Sequence, residues 1–199
     1  MRDQDRWEVL GRLAESQAGY VTVAQAEKAG FHRNTLRQQT HEGGRLRRAG
    51  RGLYRLRFYP GSPFEQVAAA WVLAGPDRAV VSHESALELY GLSDVAPAAV
   101  DLTLPRDSRS RRAPSGVRFH HPRIPLRSDE VRQVHGMRVT SPERTIVDAL
   151  ESGTQPDQIE AAIRQALEQG ITTAGRLRNA VAHRPLSLRA SIDRSLAAP

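Results

Sequence analysis

Cysteine is absent from the 199 residues, which removes disulfides, thiolate zinc sites and a cysteine nucleophile from consideration. Lysine is nearly absent: Lys28 stands alone beside 28 arginines, a bias that fits a GC-rich coding sequence. No apolar run reaches the about 18 residues that suggest a membrane-spanning helix. The charged start MRDQDRWEVL has no apolar core of the kind a signal peptide needs. A cytoplasmic bacterial protein is therefore expected. A glycine-rich phosphate loop, a Gly-x-Ser-x-Gly elbow and an internal repeat are missing as well.

Acidic residues are scarce in one place. Residues 31–60 hold eight arginines against a single acid, Glu42, whereas 1–30, 61–150 and 151–199 are each close to balance. The formal net charge of +7 is thus the charge of one short window. A solvated surface would spread its charge, so this concentration reads as a footprint for a polyanion.

The pattern around that window predicts its structure. Trp7, Leu10, Leu13 and Ala14 recur at helical spacing, giving a first helix over Arg6 to Ser16. Thr22 is placed to cap a second helix, Val23 to Ala29, and Gly30 suits the residue after its end. A third helix is expected from Arg33 to Glu42, with Phe31 and Leu36 as the two ends of a hydrophobic staple around His32. His is a poor cap, and Asn34 in that role would start the helix two residues later. Leu36 and Thr40 would face inward. Arg33, Asn34, Arg37, Gln38 and His41 would face out, residue types that include those pairing with guanine and adenine edges in the major groove. Gly50-Arg51-Gly52 then permits a tight hairpin between two basic strands. Arg45, Arg47, Arg48, Arg51 and Arg55 on it are candidates for phosphate contacts, which position a protein without reading sequence. The order helix, turn, helix, hairpin describes a winged helix-turn-helix, and a polar helix that would mean little alone gains meaning from the basic wing beside it.

At Gly61-Ser62-Pro63 the composition changes, and the domain boundary is expected between Tyr59 and Phe64. Helices are expected over 64–73, from a Ser82 cap through Tyr90 to Gly91, from the Ser141-Pro142 start, around Ile159 to Leu167, and over 174–181. Strands are expected at 79–81, 100–104, 117–121, 131–134 and 137–139, with His135-Gly136 as a hairpin turn. This mixture predicts an α+β domain over 61–185. Residues 106–115 read as a polar, Arg-rich loop whose Arg109, Arg111 and Arg112 are open to DNA, RNA, an acidic patch of a toxin or, the favoured reading, solvent alone, and 186–199 read as a tail without periodicity, disordered or docked elsewhere.

Catalytic constellations are weak. His83-Glu84 and His120-His121 invite a metal, but neighbouring positions on a strand point to opposite faces and no spacing supplies further ligands. Neither metal nor cofactor is expected. Asp101, Glu84 and His120 would serve a DNA-processing nuclease tethered by the winged helix, yet such sites usually want a lysine and the only one is Lys28. Glu143 and Asp148 cannot share a helix face and should pair with Arg144 or other neighbours. The region reads as a binding domain and the protein as no enzyme.

Four segments carry a resemblance: RGLYRL at 51–56, SHESALELYGLSD at 82–94, DLTLPR at 101–106 and VTSPERTIVDAL at 139–150. Together they are similar to the AbiEi-like antitoxins of bacterial type IV toxin–antitoxin systems over about residues 5–185, and the Arg-rich composition resembles actinobacterial members. The resemblance implies a winged helix that binds repeats in double-stranded promoter DNA and represses its own operon. It also implies a C-terminal domain that counters a nucleotidyltransferase-like toxin, in many systems without clamping it, and leaves open a monomer or a dimer assembled on DNA. The nuclease, and a ligand-sensing transcription factor with no toxin partner, are the other readings.

Overall fold

The computed structural model describes residues 3–197. The chain forms two compact units: one runs up to Arg78 and includes His135–Met137, the other holds Ala79–Val134 and Arg138 onward. In the first, α1 (Asp3–Glu15), β1 (Tyr20–Thr22), α2 (Val23–Lys28), α3 (Arg33–Gln38), β2 (Leu46–Gly50), β3 (Leu53–Leu56) and α4 (Glu65–Ala74) follow in order. The strands make an antiparallel sheet in the order β1-β3-β2, with the β2–β3 hairpin as the wing. This is a winged helix-turn-helix.

Local chemistry sets its bounds. Thr22 closes a capping box: its Oγ1 accepts from the Gln25 amide at 3.2 Å, and Gln25 Oε1 accepts from the Thr22 amide at 2.9 Å. Phe31 and Leu36 enter one core with Leu10, Ala14, Val21, Ala26 and Leu46, as a staple should. His32 occupies the N-cap of α3 without a side-chain hydrogen bond, so the start at Arg33 holds and Asn34 does not cap. Periodicity gives no sign of β1, a three-residue strand defined by its pairing with β3.

Three expectations fail in this unit. The third helix stops at Gln38 instead of Glu42, because the chain turns and its carbonyls find another donor. Arg57 donates from Nε to Gly44 O at 2.7 Å and from one terminal nitrogen to His41 O, Leu46 O and Thr40 O at 2.8, 3.1 and 3.2 Å. A Cβ at Gly44 would lie 2.1 Å from the Gln39 carbonyl oxygen, so only glycine fits that close approach. Thr40 is half-buried and donates to Arg37 O at 2.7 Å rather than joining the core. The expected boundary near residue 60 also falls inside this unit. Glu65 on α4 pairs with Arg47 at 2.7 Å and Arg55 at 3.1 Å, and α4 packs on β1.

The second unit contains β4 (Val80–Val81), α5 (His83–Tyr90), β5 (Val100–Thr103), β6 (Val117–His120), β7 (Val131–Val134), β8 (Met137–Thr140), α6 (Pro142–Ser152), α7 (Pro156–Glu168), α8 (Ala174–Val181) and α9 (Leu186–Ala197). Its sheet runs β6-β5-β4-β8-β7. β4 is antiparallel to β5 and parallel to β8, and β5 is parallel to β6. Leu87, Ile146, Val147, Ile163, Leu177 and Ile192 belong to the helical core, completing a mixed α+β domain. Ser141 caps α6 by accepting from the Arg144 amide at 3.3 Å, with Pro142 in the first turn. His135 and Gly136 have φ of 49° and 76°, the two positive values a tight hairpin turn of this hand requires. The tail is a correction: 186–197 form α9, docked through Ile192. One buried residue in the helix leaves too little periodicity to see in the sequence.

Candidate functional site

Helix α3 and the wing carry the basic window. Arg33, Asn34, Arg37 and Gln38 are exposed, while Leu36 anchors the helix from beneath. Arg33 is held by Glu27 on α2 at 2.7 Å, which aims its guanidinium and neutralises part of its charge. The side chains of Asn34, Arg37 and Gln38 make no hydrogen bond or ion pair among the described residues, so their polar groups are open to a ligand. His41 lies past the helix, and its Nδ1 donates to Glu42 O at 2.7 Å. It is therefore not on the helix face where the sequence puts it.

The wing arginines divide. Arg45 lies over the Trp7 ring at 4.9 Å, a cation–π contact that leaves the residue exposed. Arg48 donates to Gly50 O at 3.4 Å, and Arg51 projects from the turn with no partner among the described residues. Arg47 is committed to Glu65, and its hydrogen bond holds the Glu65 carboxyl below the usual carboxylate range. Arg55 departs from the expected role altogether. It is 3 % exposed, lies near the Tyr20 and Tyr59 rings, and donates to Tyr59 O at 3.2 Å and Pro60 O at 2.6 Å. On β3, Leu53, Tyr54 and Arg55 are all buried, so strand alternation does not put Arg55 in solvent. A DNA phosphate cannot reach it. Arg57, which the sequence pattern does not single out, is the residue that fixes the turn after α3.

Comparison with known families decides what this unit and its companion are. A family model described as "AbiEi antitoxin C-terminal domain" matches residues 79–195, and one described as "Transcriptional regulator, AbiEi antitoxin" matches 8–57. The chain belongs to the AbiEi antitoxin family. Antitoxin and DNA-binding regulator are accordingly the roles its two domains support. Among solved structures, the crystal structure of the Rv2827c protein from Mycobacterium tuberculosis shares the fold. It has a TM-score of 0.52 at 17% identity, over 99% of this chain and 78% of that one. No curated protein sequence matches the chain.

The AbiEi C-terminal domain contains the acidic and histidine candidates, and the structure regroups them. Asp101 is 1 % exposed on β5; its Oδ1 accepts from His120 Nε2 at 2.7 Å and pairs with Arg118 at 3.3 Å. Its Oδ2 is buried with no hydrogen-bond partner among the described residues. Glu84 is elsewhere, accepting from Thr154 Oγ1 at 2.9 Å, so the three nuclease candidates do not meet. Among the described residues no group of three or more acidic or histidine side chains is placed to hold a metal. His121, just past the end of β6, goes to Pro105 O at 3.2 Å, whereas His120 goes to Asp101. His83 and His120, far apart in sequence, stack with ring centroids 3.6 Å apart. Asp148 pairs with Arg144 at 2.7 Å, and Glu143 accepts from Thr172 Oγ1 at 2.7 Å, confirming that the two carboxylates serve separate contacts. Burial pushes the Asp148 carboxyl above its ordinary range, with Arg144 and Arg184 opposing.

The 106–115 loop begins with a single 3-10 turn, Arg106–Ser108, and leaves Arg109, Arg111 and Arg112 exposed. Arg111 lies over the Phe119 ring at 5.6 Å.

Proposed function

We propose that this AbiEi-family chain is an autorepressing antitoxin. Its winged helix binds double-stranded repeats in its own promoter, and its C-terminal domain counters a nucleotidyltransferase-like toxin. The observation that carries the DNA reading is the division of labour on the first unit. Arg33, Asn34, Arg37 and Gln38 share one short exposed helix, and the exposed arginines of the wing flank it. The helix offers the side chains that read base edges, and Arg45, Arg48 and Arg51 supply charge to the backbone. Arg47 joins them where phosphate outcompetes Glu65. His41, outside the helix, and Arg55, inside the fold, drop out of the set.

Each copy carries one helix and one wing. Paired repeats would accordingly bring two copies together on DNA. The toxin arm rests on family membership.

A reporter driven by the chain's upstream DNA tests the first arm. Expression of the chain should silence it, and Arg37→Ala with Gln38→Ala should release it without loss of protein level. A reporter indifferent to the chain would remove autorepression. Coexpression with a neighbouring nucleotidyltransferase-like gene tests the second arm: growth rescued by the intact chain supports it, and toxicity unchanged by the chain overturns it.

A further inference from the structure

The second unit holds a cleft of about 640 Å³, lined among others by His83, His120, Arg123, Arg144, Asp148 and Arg184. We propose that it binds a phosphate monoester, seated against His83 and His120 with the Arg144 guanidinium beside them. The proposal is independent of DNA binding by the winged helix.

The hydrogen-bond network shows which nitrogens are already engaged. Thr103 Oγ1 donates to Ser82 Oγ at 2.8 Å, which leaves the Ser82 hydrogen for His83 Nδ1 at 2.9 Å. With the Ser82 hydroxyl donating to Nδ1, the proton of His83 sits on Nε2, which has no partner among the described residues, on a residue that lines the cleft. His120 is oriented from behind by Asp101, which takes Nε2 and leaves Nδ1 as its unpartnered ring nitrogen. Arg144 spends Nε on Asp148 and one terminal nitrogen on Glu130, leaving the other without a partner among the described residues. The Arg144 guanidinium is a donor to an oxyanion as it stands and a His83 ring protonated on Nε2 adds a second, while His120, which gives its Nε2 hydrogen to Asp101, donates from Nδ1 only as an imidazolium.

Electrostatics favour an anion at the same point. Burial, then His120, Arg144 and Arg118, push His83 down to about 3, so its ring stays neutral and donates without a charge of its own. The Arg144 and Arg118 guanidiniums, which oppose a proton there, would stabilise negative charge. The acids in the cleft wall are already engaged: Asp148 by Arg144 and by Arg184 at 3.8 Å, and Glu151 by Arg184 at 2.8 Å. Arg123 on the exposed rim has no partner among the described residues and would anchor the far side of a ligand.

The backbone adds an independent observation. His83 is 8 % exposed with φ of 53°, a left-handed conformation that costs energy for a residue other than glycine. Such strain persists where the surroundings enforce it and clusters at ligand sites. A volume in this range suits a nucleotide-sized molecule. A nucleotide or the phosphorylated end of a nucleic acid would present the same tetrahedral group.

Histidine-ring NMR of the full chain tests this. The probes are inorganic phosphate, AMP against adenosine, and a 5′-phosphorylated dinucleotide against its 5′-hydroxyl form. Phosphate-bearing probes should shift the His83 and His120 resonances saturably, and their dephosphorylated partners should not. Tighter binding of AMP would mark a free nucleotide, and tighter binding of the dinucleotide a nucleic-acid end. His83→Asn removes the ring while tolerating the left-handed backbone, and should weaken binding about tenfold or more. Arg123→Ala, at an exposed position, should weaken the nucleotide probes and leave inorganic phosphate nearly unchanged. Absence of saturable shifts with every phosphate probe, equal shifts from adenosine and AMP, or full affinity in a folded His83→Asn variant would each overturn the proposal.

Discussion

Replacing Arg57 by alanine should loosen the turn that ends the recognition helix. Its guanidinium reaches four carbonyls, of Gly44, His41, Leu46 and Thr40, but three of them share one nitrogen. Only the bonds to Gly44 at 2.7 Å and His41 at 2.8 Å are short enough to count fully. A hydrogen bond to a charged group contributes about 1.5–3 kcal/mol, and water will replace part of what is lost at this half-buried site, so the expected cost is about 2–4 kcal/mol. Both tryptophans, Trp7 and Trp71, belong to the first unit, so intrinsic fluorescence reports on it selectively. In a urea titration the midpoint should fall by on the order of 1 M with little change in slope. Arg57→Lys, whose compact ammonium cannot span two carbonyl directions, should recover less than half of the loss. Promoter DNA affinity should fall with stability, since the turn joins helix to wing. An Arg57→Ala midpoint within error of the parent would refute the idea that this side chain holds the turn.

Other perturbations separate the roles assigned above. Arg51→Ala should weaken binding to all duplexes and reduce the salt slope by about one unit, whereas Arg55→Ala should lower the urea midpoint and leave the slope of binding against salt intact. Arg37→Ala and Gln38→Ala should each cost about 1–3 kcal/mol at particular base pairs, measured by binding to single-substitution operators. Thr22→Ala removes the capping box and should destabilise the first unit by about 1 kcal/mol in the same urea assay. His83 sits at about 3 when folded against 6.5 unfolded, so the unfolded chain takes up its proton first as pH falls. Its neutral burial carries no penalty above pH 6.5 and a growing one between there and about 3. Stability of the second unit should drop from pH 7.5 to pH 5, and His83→Asn should flatten that dependence; Asp148, raised by burial, acts in the opposite sense as it takes up its proton.

The winged helix was legible because its signals are local. A cap with its glutamine, a staple around one residue and a two-glycine turn each lie within a few residues of sequence. What escaped is long-range. Neither β1 nor the length of α3 follows from periodicity, since one is set by pairing to β3 and the other by Arg57 from the far side of the wing. Arg55 reads as exposed until Glu65, distant in sequence, is seen to draw it in. Charge averaged over 61–150 cancels, concealing seven arginines against the single acid Asp107 within 104–127. The cleft is harder still, because its histidines come from an α-helix start and a strand joined only through the sheet.

The most direct test of the central claim is a gel-shift titration of the intact chain against its own upstream DNA and an unrelated duplex of equal length, at two salt concentrations. The account predicts a specific complex at least about a thousandfold tighter than the control. Equal, steeply salt-dependent affinity for both duplexes would mean that the arginines only grip phosphate, and would contradict sequence reading by α3.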